Sequence, residues 1–424
     1  MEKIDFNTAS FKDFENVPGL DAWKRADLFK EYLDHLRQSG GLNYRLVSTT
    51  GCGPEVDLIT NDPVNPQRYV SLVSNDYLGF TQHPKVKMAV IEGIMQYGSG
   101  AGASPAIGGQ FSYHEMLEKK IATFFKKQSA IIYTTGYTAN SATLMSLLQK
   151  EDIAIVDMAV HASVYEGCQL TNLKVFLHNR LDVLERALIE SKDKYRTKMV
   201  IVDGVYSQDG DMAPLRQILD LCRQYGAYLA VDDAHGVGVI GDTGRGAMEK
   251  QEVMQEVDII TGTFSKAFAN IGGYVIADPN LIDFLKYQSR QHLFSSTASP
   301  AAAGILKAID LLDEEPQWKD KLWENINYLK TGLLSLGMNI GTTESAIIPV
   351  KIGDAARTAK AGELLLKAGI YTNPIIYPAV SKKNARIRMS VMATHTFEQL
   401  DKVLDAFEYV EQKLGISKLT PLTL

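Results

Sequence analysis

Between about residues 85 and 300, short apolar runs alternate with longer segments whose apolar residues recur every three or four positions. The short runs are rich in Val and Ile, which is typical of strands buried on both faces of a parallel sheet. The longer segments, such as 181–191 and 215–225, have the periodicity of amphipathic helices. This alternation predicts an α/β fold of βα repeats around a mainly parallel sheet. The predicted strands are Ala130–Tyr133, Ala154–Asp157, Lys174–Phe176, Met199–Val202, Tyr228–Val231 and Asp258–Thr261.

The two ends of the chain follow other patterns, and 424 residues are too many for one typical core. We therefore expect an N-terminal arm and small segment over 1–74, a large domain over 75–300, and a smaller α+β domain over 301–424. The last helix of this smaller domain has a clear start, because Thr396 and Gln399 have the spacing of a capping box.

Charge and cysteine usage exclude several classes of protein. The chain has 44 basic and 50 acidic residues, a net charge of -6 and no run of like charges, which disfavours nucleic-acid binding. Cys52, Cys168 and Cys222 lie far apart without C-x-x-C spacing, which favours a reducing compartment. No apolar run reaches the roughly 18 residues of a membrane span, and the first residues lack a signal-peptide pattern. We therefore predict a cytoplasmic protein.

Reactive side chains follow two of the predicted strands. Asp232 and His235 come directly after one strand, and Lys266 follows the next strand along the chain. The carboxyl ends of parallel strands are where open α/β sheets bind their ligands. Each residue alone has an ordinary explanation as a turn, a hydrogen-bonded or a surface group. Together they predict a pyridoxal 5′-phosphate (PLP) site, in which a lysine binds the aldehyde and an acid keeps the ring nitrogen protonated.

Other residues extend this predicted PLP site. Gly136 and Tyr137 follow a strand and open a helix, so their N–H groups are candidates to bind the phosphate. His161 is a candidate to stack on the cofactor ring. Ser207, together with His235, is a candidate to hydrogen-bond the phenolic oxygen, and Thr263 adds a predicted phosphate contact.

These motifs resemble those of the α-oxoamine synthases, which are fold-type I PLP enzymes. The family includes 8-amino-7-oxononanoate synthase, 2-amino-3-ketobutyrate CoA ligase, 5-aminolevulinate synthase and serine palmitoyltransferase. The resemblance runs from about Tyr69 to the last helix, and it implies a large domain with a mainly parallel seven-stranded sheet and a small α+β C-terminal domain. It rests on the segments Ser74–Gly79, His161–Gly167, Asp203–Asp211, Val231–Gly236 and Gly262–Lys266.

The resemblance implies a role for each matching residue. Lys266 is expected to bind PLP covalently and Asp232 to pair with the ring nitrogen. His235 is expected to contact O3′ and His161 to stack on the ring. The resemblance also places Ser207 and Thr263 among the cofactor contacts.

Three further roles are implied for the substrate and the partner subunit. Arg388 matches the arginine that holds the amino-acid carboxylate, with Asn75 assisting. Ser296 matches a residue that reaches the phosphate of the neighbouring subunit. The resemblance therefore implies a homodimer with shared active sites.

The implied reaction is a decarboxylative Claisen condensation of a small amino acid with an acyl thioester, carried by CoA or by a carrier protein. The segments 343–350, 373–380 and 392–396 are most similar to bacterial serine palmitoyltransferases. We therefore expect a serine-like amino acid or cysteate and a long-chain acyl donor, with peripheral membrane contact left open. An activity of the 8-amino-7-oxononanoate synthase or 2-amino-3-ketobutyrate CoA ligase type is the alternative. Pro105 replaces the usual arginine of the family, so both the amino acid and the acyl donor stay open.

Three rival functions are compatible with parts of the pattern. A PLP aminotransferase would share Lys266 and Asp232 but would need no thioester. A metal-dependent hydrolase would use Asp232, Asp233 and His235, which are closely spaced for a ligand set and lack a matching cluster elsewhere. A nucleotide-binding module would use the glycine-rich segment 98–102, which lacks the strand–GxGxxG–helix context.

Overall fold

The structure is a computed structural model that describes residues 4–6, 9–38, 45–59 and 67–420. The strands are β1 Val47–Ser48, β2 Glu55–Ile59, β3 Gln67–Ser71, β4 Ser129–Tyr133, β5 Ile153–Asp157, β6 Asn172–Phe176, β7 Lys198–Asp203, β8 Tyr228–Asp232, β9 Ile259–Thr263, β10 Gly273–Ala277, β11 Ile347–Lys351, β12 Ile370–Tyr371, β13 Asn373–Ile375 and β14 Arg386–Ser390. The helices are α1 Ala22–Gln38, α2 Pro84–Tyr97, α3 Ser112–Phe124, α4 Gly136–Leu147, α5 Ala162–Gly167, α6 Leu181–Ser191, α7 Leu215–Gln224, α8 Ala247–Lys250, α9 Pro279–Gln288, α10 Arg290–Phe294, α11 Ala303–Glu314, α12 Gln317–Ser335, α13 Ala355–Lys367 and α14 Phe397–Leu414.

The largest sheet has seven strands in the order β4-β10-β9-β8-β7-β5-β6. Strands β5 to β9 pair in parallel, whereas β10 is antiparallel to both β9 and β4. The predicted mainly parallel sheet is confirmed, and all six predicted strands belong to it. The seventh strand, β10, was not predicted. It follows β9 after a loop without the intervening helix that the βα pattern leads one to expect.

The register of this sheet brings the reactive strand ends together. Successive residues of β5, β7 and β10 are buried, so both faces of the sheet are covered. Asp203 at the end of β7 pairs with Asp232 of β8, which in turn pairs with Thr261 of β9. Asp203, Asp232 and Thr261 are therefore neighbours across three strands, near the carboxyl ends of these strands.

Two smaller sheets complete the fold. Strands β11, β14 and β13 form an antiparallel sheet in which Arg388 pairs with Pro349 and Asn373. Strands β1 to β3 share a sheet with β12, so the described part of the N-terminal segment packs against the C-terminal part of the chain. Helix α14 begins at the predicted capping box, where Thr396 accepts a hydrogen bond from the Gln399 N–H.

The longer helices carry a polar face. Within the described ranges, none of them combines the length and the apolar character that crossing a membrane requires.

Candidate active site

A cavity of about 230 Å³ opens at the carboxyl ends of β7, β8 and β9. Nine of the eleven predicted site residues line it, and Arg388 donates hydrogen bonds to two of them, Asn75 and Ser207. The residues that line the cavity are Asn75, Gly136, Tyr137, Asn140, His161, Asp203, Val205, Ser207, Asp232, Ala234, His235, Gly262, Thr263, Ser265 and Lys266.

Lys266 lies in the loop that follows β9 and lines this cavity. Burial disfavours its positive charge and lowers the pKa of its amine to about 8, although the nearby Asp232 opposes the shift. A larger fraction of the amine is therefore neutral near physiological pH than for a solvated lysine. A neutral amine is the form that attacks an aldehyde.

Asp232 is the last residue of β8 and is buried, and each of its two carboxylate oxygens accepts a hydrogen bond. Its Oδ2 accepts a hydrogen bond from Asn140 Nδ2 at 2.6 Å, and its Oδ1 accepts one from the Ala234 N–H at 3.1 Å. The neighbouring Asp203 is also buried, and burial together with the Asp232 charge raises the pKa of Asp203 well above its usual value. Burial thus favours the protonated form of Asp203, the carboxyl group that neighbours Asp232 on the adjacent strand.

The adjacent acid Asp233 does not face the cavity. Its Oδ2 accepts a hydrogen bond from the Ala247 N–H at 2.7 Å, and burial raises the pKa of Asp233 to about 7. Because Asp232 and Asp233 point in different directions, they do not converge on one point with His235. This geometry disfavours the metal-dependent hydrolase.

His235 forms a short hydrogen bond with Tyr77, whose hydroxyl lies 2.6 Å from Nδ1. Burial lowers the pKa of His235 well below its usual value, and the Lys266 and Arg388 charges add to this shift. Burial also raises the pKa of Tyr77 to about 12, so the phenol keeps its proton. We infer that Tyr77 donates to Nδ1, because the other acceptor within reach of its proton, Asn75 Oδ1, is farther away at 3.4 Å; the His235 proton then resides on Nε2. That N–H is a suitable donor for a phenolic oxygen.

His161 lies exposed beside the cavity at the start of α5. Its Nδ1 lies 2.8 Å from Ser163 Oγ, and the Tyr137 ring meets its imidazole edge-on with a centroid distance of 5.8 Å. The Tyr137 hydroxyl in turn bonds Glu166. These contacts hold the His161 ring beside the cavity, where it is available to stack on a planar ligand.

The start of α4 provides the anion-binding end of the cavity. Gly136 is the first helical residue, and the N–H groups of a first helical turn lack partners within the helix. An added Cβ at Gly136 would lie 2.6 Å from Thr263 Cβ, so only glycine fits against this neighbour. The Thr263 hydroxyl lies 3.0 Å from the Gly272 carbonyl and from Ser265 Oγ. This end of the cavity is suited to a phosphate.

Arg388 of β14 extends the site on the other side. Its Nη2 donates to Asn75 Oδ1 at 3.2 Å, its Nε to the Ser207 carbonyl at 2.6 Å, and its Nη1 to Ser390 Oγ at 3.0 Å. Arg388 is buried, yet among the described residues no carboxylate forms an ion pair with it. Because a buried charge without a counter-ion is costly, the guanidinium indicates a binding site for an anionic ligand.

Ser296 is not part of this cavity. It is exposed and lines a small crevice with Pro105, Thr134 and Thr297. The expected contact of Ser296 with a partner's phosphate stays a prediction.

Four polar residues that support the site through hydrogen bonds or charge were not predicted, and the sequence signals for them were weak. Asn140 and Ser163 lie on helices that face the sheet, and Tyr77 is one residue of a quoted motif. Asp203 directly follows the predicted strand Met199–Val202 and begins the family motif Asp203–Asp211, which was the clearest available signal. The missed residues are Tyr77, Asn140, Ser163 and Asp203.

The amine, the buried acid and the helix start lie around one cavity, which is the donor set that PLP requires. The family model for aminotransferase class I and II matches residues 67–407. The chain belongs to this family.

Two curated relatives share the sequence over most of its length. The chain is 39% identical over 393 residues to 8-amino-7-oxononanoate synthase of Thermoanaerobacter pseudethanolicus, covering 92% of this chain and 98% of the relative. It is 41% identical over 356 residues to 8-amino-7-oxononanoate synthase 1 of Bacillus subtilis, covering 83% and 91%.

A solved serine palmitoyltransferase of S. paucimobilis, with bound PLP and myriocin, shares the fold with a TM-score of 0.88. The identity is 29%, and the match covers 94% of this chain and 100% of that structure. The α-oxoamine synthase resemblance, the fold-type I architecture and the PLP cofactor are thereby confirmed. The role of each site residue stays a prediction.

Proposed function

We propose that this protein is a PLP-dependent acyltransferase that condenses an amino acid with an acyl thioester and releases carbon dioxide and a thiol. One observation carries the proposal: the buried guanidinium of Arg388, which lacks a carboxylate partner among the described residues, lies at the side of the Lys266 cavity. An amino acid bound at Lys266 would place its carboxylate at this cation. The names of the relatives support the same class of reaction.

Bound PLP supplies an electron sink for negative charge at the α-carbon of the amino acid. The Asp232 carboxylate would pair with the ring nitrogen and keep it protonated, and His235 Nε2–H would donate to the phenolic oxygen. Lys266 would hold the cofactor and then accept the α-proton. Arg388 would hold the carboxylate with paired N–H groups and thereby orient the α-bond that breaks.

The bonds that change are few. The α-carbon forms a bond to the acyl carbonyl carbon, the carbon–sulfur bond breaks, and the thiol leaves. The carboxylate then departs as carbon dioxide, and a proton takes its place on the α-carbon. The product is an aminoketone.

For the substrates we propose a serine-like amino acid or cysteate and a long-chain acyl group on CoA or a carrier protein. The fold similarity to serine palmitoyltransferase over nearly the whole chain supports this choice. The higher sequence identity of the 8-amino-7-oxononanoate synthases supports the alternative, a shorter acyl donor with another small amino acid. A 2-amino-3-ketobutyrate CoA ligase type of reaction belongs to the same alternative.

We also propose a cytoplasmic homodimer with shared sites. Met88, Ile91 and Met95 form an exposed apolar face of α2, and Met95 is 82% exposed. Phe294, which is 78% exposed, adds an apolar side chain two residues before Ser296. Exposed apolar patches of this kind mark protein interfaces. Sedimentation of the Met95→Glu variant tests this interface: a monomer is expected, and an unchanged dimer would contradict it.

The experiment that tests the activity combines a panel of amino acids with acyl-CoA donors of increasing chain length. We expect equal amounts of thiol and carbon dioxide, and an aminoketone by mass spectrometry, with one amino acid and a long-chain donor. Preference for a short dicarboxylic acyl donor would favour the 8-amino-7-oxononanoate synthase alternative. Transfer of the amino group to a keto acid without thiol release would favour the aminotransferase and contradict the proposal.

A further inference from the structure

Four buried side chains from four different elements form a continuous hydrogen-bonded chain below the cavity. Asn140 of α4 is at its centre and is only 4% exposed. Its Nδ2 lies 2.6 Å from Asp232 Oδ2 and 3.0 Å from Ser163 Oγ, and its Oδ1 lies 2.6 Å from Thr261 Oγ1. The chain continues to His161, whose Nδ1 is 2.8 Å from Ser163 Oγ.

The donors in this chain have one consistent direction. Thr261 donates to Asn140 Oδ1, which fixes the amide so that its NH₂ group faces away from β9. The two N–H bonds of that group are then both used, one for Asp232 and one for Ser163. Since Ser163 Oγ accepts from Asn140, its own proton is directed to His161 Nδ1.

We propose that Asn140 is a positioning residue that sets the orientation of Asp232 and His161 together. The inference rests on the PLP site of the proposed function, because these two side chains are the ones expected at the ring nitrogen and at the ring face. Asn140 borders the cavity, but its amide group is fully used by Asp232, Ser163 and Thr261. It acts by holding a buried carboxylate through a neutral donor, which stabilises the charged form without cancelling its charge.

The physical reason for this arrangement is the burial of Asp232. A carboxylate that loses a donor in a buried site is left partly unsatisfied, which favours its protonation. A protonated Asp232 no longer pairs with a protonated ring nitrogen. Removal of the Asn140 amide should therefore weaken cofactor binding and change the electronic state of the bound ring.

The test measures PLP affinity of the apoenzyme and the absorption spectrum of the bound cofactor across a range of pH. For Asn140→Leu we expect PLP binding about 10- to 100-fold weaker than in the wild type, and a displaced pH midpoint of the spectrum. Thr261→Val should change both quantities in the same direction by a smaller factor. Thr261→Ser keeps the hydroxyl and should restore wild-type values.

Asn325→Leu provides the matched control for a purely structural role. Asn325 is another buried asparagine, but its Nδ2 donates to the carbonyls of Met392 and His395, away from the cavity. This variant should unfold at a lower temperature and keep the wild-type cofactor spectrum.

The inference is overturned if Asn140→Leu and Thr261→Val keep the wild-type affinity and spectrum. It is also overturned if they lose thermal stability like Asn325→Leu without any spectral change. Should Asn140→Leu fail to fold, the pair Thr261→Val and Thr261→Ser decides the question. If the wild-type protein itself binds no PLP, the proposed function fails, which is a different outcome.

Discussion

The two ends of the cavity are built in different ways. The ring-nitrogen end is the part of the cavity around Asp232, the residue expected to pair with the cofactor ring nitrogen. Asp232 and its partners belong to one sheet and the helices packed on it, and both oxygens of the Asp232 side chain accept hydrogen bonds. The carboxylate end is the part around Arg388, where the carboxylate of the amino acid is expected to bind. Here Arg388 comes from the C-terminal sheet and Asn75 from a loop before α2. There the guanidinium has only neutral partners among the described residues.

The ring-nitrogen end is therefore preorganised, whereas the carboxylate end has a buried positive charge without a counter-ion among the described residues. The ring-nitrogen end is complete in the protein alone, so a ligand meets dipoles that are already oriented. On the proposed function, the carboxylate end would gain a counter-ion when the amino acid binds, and the energy of that interaction would serve to recognise the substrate. We therefore expect changes at the first end to alter cofactor chemistry, and changes at the second to alter amino-acid affinity.

The largest effect is expected for Lys266→Ala, which removes the amine between the two ends. The variant should fold and lose thiol release by at least about 10³-fold, because both the covalent attachment and the proton acceptor are gone. Borohydride reduction followed by mass spectrometry should fix the cofactor to the wild-type chain but not to this variant. Near-normal condensation by the variant would refute the role of Lys266.

Arg388→Ala should come next and act on the amino acid. Loss of charge-assisted hydrogen bonds to the carboxylate should raise the KM for the amino acid about 10- to 100-fold, with the acyl thioester KM nearly unchanged. Arg388→Lys keeps the positive charge but loses the planar guanidinium, so its KM for the amino acid should lie between those of the wild type and Arg388→Ala. Steady-state kinetics with each substrate varied in turn measure this. A rise confined to the KM for the acyl thioester would show that the Arg388 guanidinium binds that substrate and not the amino acid.

Tyr77→Phe should have a moderate effect, since it removes the hydroxyl that fixes the His235 tautomer. We expect kcat to fall about 3- to 10-fold with a changed cofactor spectrum and a similar KM. Tyr274→Phe is the matched control, because the buried Tyr274 hydroxyl finds no hydrogen-bond partner within the described part of the chain. Equal effects of the two substitutions would argue against a role for the tautomer.

The smallest effect concerns an ion-pair cluster outside the cavity. His178 lies 3.0 Å from both Asp157 and Asp211, and although burial disfavours its charge, the two carboxylates raise the pKa of His178 to about 10. A histidine whose folded pKa exceeds its unfolded value stabilises the fold fully below about pH 6.5 and loses that contribution as the pH rises to about 10. Urea unfolding at several pH values should show the stability gap between wild type and His178→Gln narrowing over this range. A constant gap would contradict the assignment.

Much of the ring-nitrogen end could be predicted from the sequence. Asp232, His235 and Lys266 follow strands whose burial is visible as continuous apolar runs, and parallel order brings strand ends together. Asn140 could not be predicted, because a polar residue inside a helix has no sequence feature that shows which strand it meets. Its partner Asp232 is 92 positions away along the chain.

The carboxylate end was less accessible to prediction. Arg388 and Asn75 were identified only through the family resemblance, since their contact joins residues 313 positions apart. Tyr77 belongs to the family motif Ser74–Gly79, yet its hydrogen bond to His235 depends on how the loop that carries it folds back over the sheet. Strand β10 was missed for a related reason: it is antiparallel, and the βα pattern does not account for it.

Two arginines of β14 join the C-terminal sheet to the loop after β7. Arg388 Nε donates to the Ser207 carbonyl, and the buried Arg386 donates to Asp209 at 2.5 Å and to the Gln208 carbonyl. A hinge motion across this seam would have to break both attachments at once. If Arg388 holds the amino-acid carboxylate as proposed, these attachments would fix the distance between Arg388 and Lys266, and a longer substrate side chain would gain no room from a movement of the C-terminal sheet.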